Sequence, residues 1–480
     1  MNSINLQQTL KNAVATKSCG RSKSPKYLFL MFLALLLWLP LPLGSNRPWA
    51  WAIMEIWIFI IAITWLTGFC LAKFQINQAV KNSLPAIICW FLWLLIATIQ
   101  FLPIPLGVIT ALSPKLAAIQ QQAGLWQTYN MLPASIDSHA AFTEWLKGVA
   151  YLLIFIMTLL LVEGRKRIKT LAWVLVCSGV LQSIIGIALI VSNSSHSSAS
   201  GTFINPNHYA NYLIMTMAVG IGLILSGLNE QKEKRYFKQF IIKFLRVLFS
   251  YKTPLRIFLV TIVSAIITSH SRMGNASLII GLFIAGLISL QSYKKQKSTI
   301  AIILLSFILL DLLLIGSWVG LDKVVKRIEA TKISQEIRVQ VVKDTLNLSK
   351  DFWITGSGMG SFSTIYPRYK SHTTKKHFRH ADNDYLEFLS ETGIVGFLLL
   401  GIPILLSLKT AIKLQQKSQD PLIKGLSFTV TMATTAMLIH ATTDYNLHMP
   451  ANAATFMVLL ALPSVLMGNM VLKHNKKVIY

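Results

Sequence analysis

One histidine, three acids, an asparagine and a tyrosine fall within residues 380–387, at the head of a long apolar run: RHADNDYLEFLSETGIVGFLLLG, residues 379–401. The side chains are His380, Asp382, Asn383, Asp384, Tyr385 and Glu387. An imidazole that titrates near neutrality, set beside a carboxylate, can take the proton from a hydroxyl group while that oxygen attacks, which is general-base chemistry. Capping the following helix accounts for one aspartate and leaves the others unexplained. Buried in lipid these groups would be costly, so the stretch is either a solvated loop end or a site at the membrane face. A metal centre is the weaker alternative, because no second histidine stands at ligand spacing.

Two further polar clusters border apolar runs. GTFINPNHYANYL, residues 201–213, places Pro206 where the first turn of a helix accepts it, with His208 beside it and with Asn207 and Asn211 four apart on one face. Such asparagines cap and pack helices, or they stand where the N–H groups and positive dipole end of a helix hold a phosphate. HATTDYNLHMPANAATF, residues 440–456, carries Asp444, Asn446 and His448 across the turn between the last two apolar runs. An ionisable residue at that depth is a candidate for function, and hydrogen bonding within the loop is an equal alternative.

The elements that must position these groups are membrane helices. The chain has 480 residues, of which 54% are hydrophobic and only 13% charged, and its mean hydropathy is +0.56. That is more apolar surface than a soluble core of this length buries, so the fold class is all-α, a polytopic membrane bundle. Spans are expected near 27–43, 50–72, 84–103, 145–162, 170–192, 208–228, 255–270, 273–290, 299–319, 392–410, 424–445 and 451–472, about twelve in all. The basic segment and apolar run at the start are read as a retained first helix, since more spans follow and no small-residue cleavage site does.

The net charge of +27 lies in short clusters between apolar runs, which excludes nucleic acid as the leading partner and fits cytoplasmic loops. With both termini inside, EGRKRIK at 163–169, the segment 229–247, YKKQK at 293–297 and the tail KHNKK all fall in the cytoplasm, whereas 104–144 and 193–207 fall outside and are nearly free of Lys and Arg. The division is then a cytoplasmic tail over 1–26, nine spans over 27–319, a large outer loop over 320–391, and three spans with a basic tail over 392–480.

That outer loop breaks the charge rule with a dozen cations, Arg338 among them, and Arg272 stands in a short turn on the same face. The rule is weak for long loops, yet an external face that collects cations also suits an anionic ligand. Ile333, Ile337, Val341 and Leu348 follow helical spacing, so an amphipathic helix is expected here, on the membrane or on the bundle. Gly356, Gly358 and Gly360 follow no strand and lack the Gly-Lys-Ser/Thr of a phosphate loop, and they read as a flexible turn. Cys19, Cys70, Cys89 and Cys177 have no metal spacing and imply no disulfide framework.

Taken together, GTFINPNHYANYL, Ser271-Arg272, RVQVVKDTLNLSKDFWITGSGMGSFSTIYPRY from Arg338, HADNDYLEFLSETGIVG and DYNLHMPANA resemble the O-antigen ligase family of polysaccharide assembly proteins, over roughly residues 200–460. The resemblance implies a GT-C-like glycosyltransferase of the bacterial inner membrane, metal-independent and without cofactor, active in polysaccharide and lipopolysaccharide biosynthesis. Its partners would be an undecaprenyl pyrophosphate-linked glycan donor, a lipid or protein acceptor hydroxyl on the outer face, and the bilayer. Carried over by motif, the base falls on His380, and the arginines that hold pyrophosphate fall on Arg272 and Arg338. Asn207, His208, Asn383, Tyr385 and Asp444 are the further substrate-binding candidates. Many relatives read His-Asn-Asp-Tyr-Leu, whereas here Asp382 precedes Asn383, so either His380 or Asp382 is the base. A Wzy-type polymerase is the alternative within the superfamily, and a transporter of small anions or lipid-linked saccharides is the alternative outside it.

Overall fold

A computed structural model describes residues 25–192, 198–227, 253–292, 297, 301–302, 305–306, 337–371 and 377–478. The long helices are α1 (Lys26–Trp38), α2 (Pro48–Cys70), α3 (Leu84–Phe101), α4 (Ser138–Leu161), α5 (Gly164–Ser192), α6 (Pro206–Leu225), α7 (Thr253–Thr268) and α8 (Arg272–Ser292). They continue with α9 (337–351), α10 (Asp384–Lys417), α11 (Pro421–His440) and α12 (Pro450–Val478).

Among the described residues, nine of these helices are long and apolar enough to cross a membrane: α2 to α6, α8, and α10 to α12. The protein is an all-α polytopic membrane protein. Of the twelve expected segments, 27–43 becomes a helix of only 13 residues, because Pro40 and Pro42 deny the chain two amide donors and α1 stops before them. The segment expected at 255–270 becomes the short α7, and most of 299–319 lies outside the described residues, as does Ile333. The segment expected from 145 starts earlier, where Asp137 caps α4 by accepting from the Ala140 amide at 2.9 Å.

α6 forms the centre of the bundle, enclosed along its whole apolar window and packed by α5, α7 and α11. Hydrogen bonds between helices replace those that lipid cannot offer. Thr429 donates to the Ala218 carbonyl at 2.9 Å, and Gln415 donates to Ala285 O at 2.9 Å and to Ser289 Oγ at 2.8 Å. At one end Arg165 pairs with Asp420, and Lys424 donates to Ser292 O at 3.3 Å. The opposite end, where α6, α8, α10 and α12 begin, carries the three polar clusters and is called the polar end below.

A second hydrophobic core covers the polar end. The segment 103–136 contributes a two-stranded antiparallel sheet, β1 (Pro103–Pro105) and β2 (Met131–Pro133), with Ile104 opposite Leu132. Its Ile109, Leu116 and Leu132 pack against Val341 and Leu348 of α9 and against Phe352, Phe362, Ile365 and Tyr366. The helix expected as amphipathic therefore buries its apolar stripe in a protein cap built from two segments far apart in sequence, 103–136 and 341–366.

The glycine turn at 356–360, expected as a flexible turn, is hydrogen-bonded to α10. α10 is broken at Gly393 (φ 66°, ψ −178°), and the break leaves carbonyls of the preceding turn without helical partners. The turn supplies them: Ser357 N donates to Ser390 O at 2.8 Å and Gly358 N to Glu391 O at 3.1 Å, while Ile394 N donates to Trp353 O at 2.7 Å. Gln100 of α3 adds a bond to Glu391 O at 2.9 Å. Both glycines at the contact have positive φ and no room for a side chain, since a Cβ on Gly393 would lie 2.1 Å from Ile354 O and one on Gly356 2.0 Å from Glu391 O. Gly393→Ala or Gly356→Ala is expected to cost at least about 1–3 kcal/mol. Thermal unfolding in detergent should reveal this as a lowered midpoint, with Gly401→Ala, which meets nothing within 4 Å, unchanged.

Candidate functional site

The site is assembled around the first half of α10, before the Gly393 break. Asn383 is the N-cap, accepting from the Leu386 amide at 3.1 Å, and its Nδ2 donates to Thr442 O at 2.9 Å. The cap is therefore an asparagine, and the aspartates on either side are left for other contacts. Asp384, Glu387 and Glu391 then fall on one helix face by their spacing, and all three are buried, 1%, 1% and 3% exposed.

Each carboxylate has its own counter-groups. Asp384 Oδ1 is 2.9 Å from His448 Nδ1, and its Oδ2 accepts from Leu447 N at 3.1 Å. Its amide donates to Ala441 O and Asp444 O, at 3.0 and 3.2 Å. These bonds explain why the span expected to 445 stops at His440: the chain from Ala441 onward folds over the start of α10. Glu387 lies 2.6 Å by Oε1 from His380 Nδ1, accepts from Ala381 N at 2.7 Å by Oε2, and has His448 Nε2 3.5 Å from Oε1. Glu391 accepts from Phe362 N at 3.0 Å, fastening the cap to the helix.

His380 stacks face to face on Tyr445, with ring centroids 4.1 Å apart and 15° between planes. The other side of that contact is His208, edge-on to Tyr445 at 4.6 Å. His208 Nε2 is 3.1 Å from Asp444 Oδ1, and His440 Nε2 is 3.9 Å from Asp444 Oδ2. Asn211 Nδ2 meets His440 Nδ1 at 3.2 Å, and Asn452 donates to His208 O at 3.0 Å. The three polar clusters of the sequence thus join through Tyr445 and the turn between α11 and α12.

Arg338, near the start of α9, reaches over this assembly, its Nε 3.5 Å from Asp382 Oδ2. Asp382 has φ 51°, a left-handed conformation that aspartate tolerates better than most residues. Burial raises its pKa; Arg338 opposes that rise, and Asp444 and Glu387 add to it. Arg272 opens α8 and is exposed. Gly274, two residues on, packs so closely on α6 that a Cβ there would lie 3.0 Å from that of Ala210, which sets Arg272 at the polar end beside the second turn of α6.

Other candidates point elsewhere. Tyr385 donates to Leu438 O at 2.7 Å, within the bundle. The first amide of Asn207 is taken by the Asn205 side chain at 2.9 Å, so Asn205 is the cap of α6. Tyr445 and Glu391 were missed by reasoning from sequence, although the spacing of Glu391 from Asp384 and Glu387 was a usable signal. Lys147 was also missed; it pairs with Glu144 and lies 4.7 Å from the Trp51 ring, in the neighbourhood of the buried Glu55.

His380, Glu387 and His448 offer ligand atoms within 4.8 Å of one another and could hold a metal ion. Of these atoms His380 Nδ1 and Glu387 Oε1 are bonded to each other, whereas His448 Nε2, 3.5 Å from Oε1, is buried and makes no hydrogen bond among the described residues. Burial works against a charge on His448, but Glu387 and the hydrogen bond to Asp384 outweigh it and raise its pKa to about 10. Asp444 is held at about 2, burial being overcome by the hydrogen bond and charge of His208 and by His440.

Residues 257–401 match a family model described as O-Antigen ligase. Over those residues, somewhat under a third of its length, the chain is similar to the O-antigen ligase family. No curated protein matches the chain. The matched segment holds Arg272, Arg338, His380, Asp382, Asn383 and Tyr385, and the chain beyond it supplies Asn207, His208, Asp444 and His448. Its central carboxylate Glu387 is thus countered partly from outside the matched segment.

Because the folded pKa of His448, about 10, lies above its ordinary 6.5, the stability its charge contributes is complete below the lower value and lost as pH rises through the upper one. The thermal midpoint of His448→Gln should therefore fall well below that of the unaltered protein at about pH 6, and the gap should close by about pH 11. A gap independent of pH would exclude a charged His448.

Proposed function

We propose that the protein is a membrane glycosyltransferase of O-antigen ligase type, moving a glycan from undecaprenyl pyrophosphate to an acceptor hydroxyl at the periplasmic face of the bacterial inner membrane. The observation that carries this reading is the partly open His380 ring, held by Glu387 at 2.6 Å, under a cap whose Arg338 reaches Asp382, within the matched O-antigen ligase segment.

The chemistry follows from the groups. The acceptor O–H gives its proton to Nε2 of His380, and its oxygen attacks the anomeric carbon. The bond from that carbon to the phosphate oxygen breaks, and the electron pair leaves with the pyrophosphate. Attack opposite the leaving group inverts the anomeric centre. Guanidinium groups stabilise the departing charge without titrating, the role assigned to Arg338 and Arg272. A metal ion is not required for this, because pyrophosphate is already a good leaving group. His380 is preferred to Asp382 as base, since Asp382 faces Arg338.

His380→Ala and Arg272→Ala should each lower transfer by at least about a hundredfold, with membrane insertion retained; transfer by purified His380→Ala at the unaltered rate would remove the assigned base. Deletion of the gene followed by analysis of lipid-linked glycans separates the activities. Long chains accumulating on the carrier mean a ligase, single repeat units mean a polymerase, and an unchanged carrier pool means transport.

A further inference from the structure

We propose that Glu387 and His448, with Asp384 behind them, are positioning residues that fix the tautomer and ring plane of His380, so that Nδ1 keeps its proton and Nε2 is left to accept one. This rests on His380 being the base.

The argument is geometric. Glu387 is ionised or shares a proton at Oε1, and at 2.6 Å the stable partner of a carboxylate is a ring N–H. That assigns the hydrogen to Nδ1 of His380 and the lone pair to Nε2. Glu387 is itself held at both oxygens, since Ala381 N donates to Oε2 at 2.7 Å. Tyr445 lies flat on the imidazole at 4.1 Å and sets the plane of the ring, and the Glu387 bond sets which edge of it faces the carboxylate. His448 does the same for Glu387: its Nε2 is 3.5 Å from Oε1, its Nδ1 is fixed by Asp384 at 2.9 Å, and its ring stacks on Phe388 at 4.4 Å.

Two carboxylates are coupled to His380: Glu387 of α10, which bonds its ring, and Asp382 on its own segment, which in turn faces Arg338 of α9. Among the described residues Glu387 alone bonds the His380 ring. As Nε2 takes the acceptor proton, the imidazolium that forms is stabilised by Glu387, and the His448 ring, 3.5 Å from Oε1, holds that carboxylate in place.

A double-mutant cycle tests this. Donor is extracted from membranes of the deletion strain, acceptor from the lipid fraction of the same membranes, and transfer is followed with purified protein in nanodiscs. Glu387→Gln should lower kcat about a hundredfold or more, and His448→Gln about tenfold, with donor KM within about threefold. In a His380→Ala background neither should lower the residual rate further, because residues acting through one group are not additive. Multiplicative losses in that background, or unaltered kcat for both variants while His380→Ala is inactive, would overturn the proposal. If His380→Ala itself transferred at the unaltered rate, the fault would lie with the base assignment. Should Glu387→Gln fail to insert or to purify as a monodisperse protein, His448→Gln carries the same cycle alone.

Discussion

Three carboxylates buried on one face of a half-helix have to be neutralised or hydrogen-bonded, and the polar end is organised around that requirement. Removing a carboxylate from water costs several kcal/mol unless charge and hydrogen bonds replace the lost hydration. Asp384, Glu387 and Glu391 obtain them from three different parts of the chain: the turn before α12, the 380–381 segment, and the cap at Phe362. The first half of α10 is consequently the post to which the turn, the cap and the histidines are fastened, and its position determines theirs.

The break at Gly393 allows one helix to serve two media. Beyond it, Val395, Leu398, Ile402 and Leu405 are 48%, 49%, 41% and 57% exposed at helical spacing, a face suited to lipid tails. From Ile394 to Lys417 the helix is about 36 Å long, enough for a hydrocarbon layer of about 30 Å. Before the break, the acidic face turns inward to protein. A continuous helix would present carboxylates and lipid-facing residues along one axis, and carbonyls now taken by Ser357 and Gly358 would return to the helical ladder, releasing the cap.

Much of this was legible in the sequence, and the failures have physical causes. Apolar runs marked the spans because lipid burial demands length and continuity, and the missed limits at Pro40, Ser138 and His440 reflect local proline chemistry, a cap, and a tertiary turn. The residue types of all three polar clusters could be read. Their partners could not, because Glu387 and His448 meet only after the turn between α11 and α12 folds back over α10. The glycine turn read as flexible because nothing in GSGMG reveals that carbonyls from residues 390 and 391 wait for its amides. Likewise the apolar stripe of α9 was visible, but its burial against 103–136 depended on a contact between two loops far apart in sequence.

The two histidines at Glu387 illustrate how environment divides one residue type into two roles. His448 touches two carboxylates, and its side chain is only 7% exposed, so its proton is enclosed and its ring acts as a charged strut between Asp384 and Glu387. His380 touches one carboxylate, and its side chain is 28% exposed. A proton can therefore reach it from outside while Glu387 and Tyr445 keep the ring still. Had both rings been equally buried, the polar end would be a closed ion-pair cluster with a purely structural part to play. The difference in exposure leaves one of them open to the surface of the bundle, and Arg338 pairs with Asp382 on the adjoining segment.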